Sequence, residues 1–77
     1  MDRAALKQLL QEAESLLLRR EQNIAHQREV IETLTRGRHD ATAAKMFLRR
    51  LESGHARHIA DRNRLFKELA DDPQGDT

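Results

Sequence analysis

Apolar side chains recur along this chain at alternating intervals of four and three residues. The first series runs Leu6, Leu10, Ala13, Leu17, Arg20, Ile24, Gln27, Ile31, Leu34, and the second Ala44, Leu48, Leu51, His55, His58, Arg62, Leu65, Leu69. A mean spacing of about 3.5 residues keeps one seam of a helix facing a neighbour, the pattern of coiled-coil-like packing. No stretch alternates with a period of two, so no strand is predicted. The fold class expected is all-α: an antiparallel two-helix hairpin over residues 1–72, with helix 1 over about 3–36, a turn at 37–40 and helix 2 over about 41–70. Gly37 closes the first periodic segment, and Asp40 offers a side-chain oxygen to cap the second. Asp2 suits the first cap in the same way. Pro73 stops the second helix, leaving residues 73–77 as a flexible polar tail.

A turn at 37–40 makes facing residues sum to about 78–79, which pairs Ile31 with Leu48, Ile24 with His55, Leu17 with Arg62 and Arg28 with Glu52, and sets Arg20 near His58. Both seams are wider than a two-stranded coil requires. Leu9, Leu16 and Val30 flank helix 1, while Phe47 flanks helix 2 on one side and Ile59 and Phe66 on the other. A stripe this wide faces more than one neighbour. Leu16, Phe47, Ile59 and Phe66 are therefore the expected interface residues, and homodimerisation into a four-helix bundle is the simplest way to cover them. The alternatives are an unidentified protein partner or a marginally stable monomeric hairpin.

Composition strengthens the case for a second chain. Of 77 residues only 19 are apolar and larger than alanine, and two phenylalanines are the only aromatics. Chains below about 70–80 residues rarely build enough core unaided. There is no cysteine, which excludes disulfide and thiolate chemistry, and no apolar run long enough for a membrane span. Asp2, Arg3 and Lys7 interrupt any signal-like apolar segment, so a cytoplasmic location is the expectation.

Charge is unevenly placed. Residues 1–18 sum to −1, 19–67 to +6 and 68–77 to −4. In a hairpin the two chain ends lie together, so one tip is acidic and the turn is basic. A head-to-tail dimer would bring opposite tips together.

The middle of both seams is polar. Arg20, Asn23 and Gln27 on helix 1 meet His55, His58 and Arg62 on helix 2. Such a layer ordinarily fixes register and oligomeric state at some cost in stability. Positive charge gathered there by the histidines in mild acid is expected to weaken the assembly. The sharper reading is a ligand, metal or proton-sensing site within a bundle. Glu52 and His55 have the Glu-x-x-His spacing of di-iron bundle sites, and His55 with His58 could begin a zinc site. Helix 1 offers Ile24, Gln27 and Arg28 opposite them, so the additional carboxylate is missing. No metal and no other cofactor is expected. No enzyme activity is expected either: Ser15 and Ser53 have no histidine-plus-acid arrangement, Gly37 stands alone, and a two-helix rod has no deep pocket.

Nucleic-acid binding is the rival function. Arg19, Arg20, Arg28, Arg36, Arg38, Arg49, Arg50, Arg57 and Arg64 make the centre and turn basic, and guanidinium forks suit phosphate. Interleaved Glu29, Glu32, Asp40 and Glu52 and the lack of a stacking platform count against it.

The turn Gly37-x-His39-Asp40-Ala41-x-x-Ala44 and the helix His58-x-x-x-Arg62-x-Arg64-Leu65-x-x-Glu68-Leu69 carry a resemblance. Over residues 24–69 the chain resembles a group of short bacterial proteins, mostly alphaproteobacterial and functionally uncharacterised. The resemblance implies a helical hairpin and no activity. The function expected is protein–protein interaction or assembly.

Overall fold

A computed structural model of the chain describes residues 2–71, so the expected tail at 73–77 lies outside the described residues. Two α-helices, α1 (Arg3–Arg36) and α2 (Thr42–Ala70), fold back on each other as a hairpin. No strand occurs among the described residues. The molecule is a rod with extents of 60 × 15 × 13 Å.

The predicted seams are the contact line. All nine seam positions of α1 and all eight of α2 are buried or half-buried. The burial is lopsided, however. Among the described residues the buried apolar ones are Leu6, Leu10, Leu17 and Ile24 of α1, with Ala41 in the turn, and none comes from α2. Every seam side chain of α2 is left partly open to solvent.

The turn departs from the sequence expectation in its detail. Gly37 ends α1 with φ −78°, so its freedom to adopt left-handed geometry is not used. Arg38 takes the left-handed conformation instead, at φ 59°. Its amide donates to the Thr35 carbonyl (3.1 Å), and that of His39 to the Leu34 carbonyl (2.8 Å), the paired bonds of a Schellman ending. A Cβ at 37 would stand 2.8 Å from Cδ2 of the exposed His39 ring, which folds back over the helix end and would have to swing aside. Left-handed geometry costs an L-residue roughly 1–2 kcal/mol, and glycine avoids this while losing more freedom on folding. Arg38→Gly should therefore stabilise the hairpin by about 1 kcal/mol, measured as an upward shift in thermal or urea unfolding. An unchanged or lowered midpoint would contradict the turn geometry.

Asp40 caps α2 as expected, though from one position further out. The helix begins at Thr42 rather than 41, with the Asp40 carboxylate accepting from the Thr42 amide (3.0 Å) and hydroxyl (2.6 Å). Asp2 differs. It occupies the cap position of α1 and its carbonyl accepts from the Leu6 amide, but its carboxylate makes no cap hydrogen bond.

The Thr42 hydroxyl, then the Thr42 amide, and to a smaller degree Lys45 hold the Asp40 carboxyl below its ordinary value of 3.8. A depressed folded value means that the cap contributes fully above the unfolded value and is lost as pH falls through the folded one. Acidification below about pH 4 should then destabilise the natural chain more than an Asp40→Asn variant, whose neutral amide still accepts. Unfolding midpoints of the two proteins compared at pH 5 and pH 2.5 test this. Identical losses would remove the ionised cap.

Candidate functional site

Long polar side chains of α1 reach across the seam to the backbone of α2. Gln27 Nε2 donates to the Ala44 carbonyl (3.0 Å), Arg20 Nη2 to the Leu51 carbonyl (3.4 Å), and Arg3 Nη1 to the Leu69 carbonyl (3.2 Å). These donors fix the register along the rod and need no carboxylate. Arg20 thus points towards the turn and lies over Gly54, not beside His58 as expected. Its Nη2 atom stands 2.3 Å from where a Cβ at 54 would be, so glycine keeps the α2 backbone accessible.

The rest of the polar layer is satisfied unevenly. His55 Nε2 lies 3.7 Å from Glu21 Oε1, while His55 Nδ1 and Arg20 Nε are buried without a hydrogen-bond partner. Arg62 Nε donates to the neighbouring Asn63 side chain at 2.9 Å. His58 is half-buried in the α2 seam.

As a metal set, Glu52, His55 and His58 are engaged elsewhere or apart. Glu52 is paired with Arg28 at 3.1 Å, the ion pair that the register predicts, and His55 faces Glu21. Among the described residues no group of three His, Cys, Asp or Glu side chains converges.

The arginines divide by partner. Arg28 meets Glu52, Arg36 meets Glu32 and Arg64 meets Asp61, so part of the basic stretch is internally matched. No carboxylate pairs with Arg19, Arg49, Arg50 or Arg57 among the described residues. No helix of the described chain is long and apolar enough to cross a membrane.

The four expected interface residues separate into two faces. Leu16 and Phe47 each precede a seam residue, and Ile59 and Phe66 each follow one; in an antiparallel pair this places the two sets on opposite sides of the rod. Phe47 (51% exposed) and Phe66 (59%) are open to solvent, whereas Leu16 and Ile59 are half-buried.

The Ile59 side is grooved. One hollow of about 390 Å³ is lined by Glu21, Ile24, Ala25, Arg28, Glu52, His55, Ala56 and Ile59. A second, of about 320 Å³, continues it along Glu14, Leu17, Leu18, Glu21, Ile59 and Arg62. Leu18, 58% exposed, stands at the edge of this groove. Sequence reasoning missed Leu18 because it lies one position beyond the flank and reads as surface. The signal was present in the run Leu16-Leu17-Leu18, which puts leucine on both sides of the seam. Comparison with protein-family models, with curated proteins and with solved structures finds no match for this chain.

Proposed function

We propose that the chain is a protein–protein interaction or assembly module acting as a homodimeric four-helix bundle. The observation that carries this is the incomplete burial of α2: its apolar seam is nowhere fully covered by α1, and Leu18, Met46, Phe47 and Phe66 are at least half exposed. Leu18 and Phe66 lie towards the grooved side and Phe47 towards the other, and large apolar side chains left open on so small a chain support an interface reading. The polar layer supports the same reading, since Arg20 and Gln27 spend their donors on register and not on a reactive group. Sedimentation equilibrium on the untagged chain tests it: a two-chain mass at micromolar concentration is expected, and a monomer at every accessible concentration would end the proposal.

Nucleic-acid binding is the second reading, favoured by Arg19, Arg49, Arg50 and Arg57, with which no carboxylate pairs among the described residues. It requires retention on heparin that falls steeply with salt.

A further inference from the structure

We infer that the second copy docks on the grooved face, antiparallel to the first, with Leu18 of each chain seated over Ala25 of the other. The inference rests on the homodimer reading and specifies its surface.

The two hollows share Glu21 and Ile59 and form one continuous groove. Its upper half is walled by Ala25 on α1 and Ala56 on α2, which are small enough to admit a side chain from outside. Leu18 lies one heptad before Ala25, a rise of about 10 Å along the same helix. A two-fold axis across the rod, midway between these residues, carries Leu18 onto the Ala25 of the other copy and Ala25 onto its Leu18. One operation fills both holes and closes the assembly, as an isologous dimer requires.

Charge agrees with the same direction. By sequence the turn region, residues 32–50, sums to +3 and the chain-end segments 1–7 and 67–77 together to −2, so reversing the rod brings ends of opposite sign together. Glu14, on the groove side of α1, comes level with Arg28 of the other copy. Charge at the centre does not separate the two faces, because a dyad on the opposite face gathers Arg19 and Arg57 while this one brings the two Glu21 side chains, each beside a His55, to the axis.

The test exchanges knob and hole in the full chain. Leu18→Ala and Ala25→Leu should each raise the dimer dissociation constant at least about tenfold, and the double variant should return it to within about threefold of the natural value. Circular dichroism at each composition checks that the hairpin stays helical. A cross-link supplies an independent readout, since the chain has no cysteine. A Leu18→Cys chain mixed with an Ala25→Cys chain should form a mixed disulfide on oxidation, faster than a Leu16→Cys and Phe47→Cys mixture. A natural chain that dimerises while both single variants and the cross-links are indifferent to positions 18 and 25 overturns the docking face alone. A monomeric natural chain overturns the homodimer reading, and this inference with it.

Discussion

Leu17→Ala is expected to remove about 3 kcal/mol from the stability of the hairpin, the largest loss from any single truncation in it. Leu17 is 6% exposed and sits at the middle of α1, where the helix ends cannot fray to relieve a cavity. Among the described residues only Leu6, Leu10, Ile24 and Ala41 share its degree of burial. Large-to-small changes at such positions lose the transfer energy of the removed carbons and leave a void that closes only in part. A chain of 77 residues holds roughly 4–11 kcal/mol in total. One leucine is therefore a large fraction of the whole, and the variant should unfold at a markedly lower urea concentration than the natural chain. The neighbouring residue supplies the control. Leu18 has the same chemistry but is 58% exposed, so Leu18→Ala in dilute protein, below the dimer dissociation constant, should cost less than about 1 kcal/mol. Urea unfolding followed by circular dichroism at one fixed low concentration compares them. Equal losses at 17 and 18 would mean that the seam is not where the heptads put it.

The contrast between these adjacent leucines shows which features a linear pattern transmits. Periodicity reports the direction of each side chain, so the seam from Leu6 to Leu34 and from Ala44 to Leu69 was legible, as was the Arg28–Glu52 pair that follows from the turn. Depth is a different quantity. Ile24 is buried while Leu48, with an equally good seam position, is only half-covered, and nothing in the local sequence distinguishes them. Depth depends on how the rods tilt and on which side chains happen to span the gap. The ends of long flexible side chains are equally hidden. Register placed Arg20 opposite His58, but a guanidinium reaches more than one turn along the partner, and it lies over Gly54 because the backbone is bare there. Glycine in the middle of a helix was a readable anomaly whose cause only the fold reveals. Likewise Gly37 was legible as the end of α1, whereas the left-handed residue proved to be Arg38.

Gly54→Ala should be close to neutral in the natural chain and stabilising once Arg20 is removed. Alanine is better than glycine inside a helix by about 1 kcal/mol, and position 54 lies well inside α2. In the natural chain that gain should vanish, because the new Cβ would stand 2.3 Å from Arg20 Nη2 and force the guanidinium off the backbone. Displacement forfeits the bond to the Leu51 carbonyl, although at 3.4 Å that bond is long, and Arg20 Nε already lacks a partner. The flexible side chain can move, so the penalty is modest and comparable with the helix gain. Once Arg20→Ala has cleared the site, Gly54→Ala should stabilise by the full amount. The coupling between positions 20 and 54 should therefore be about 1 kcal/mol, well above the few tenths found for residues that do not touch. Four proteins unfolded in urea at equal concentration measure it. If Gly54→Ala stabilised equally in both backgrounds, the guanidinium would not be resting on the helix, and the glycine would have no role in fixing the register.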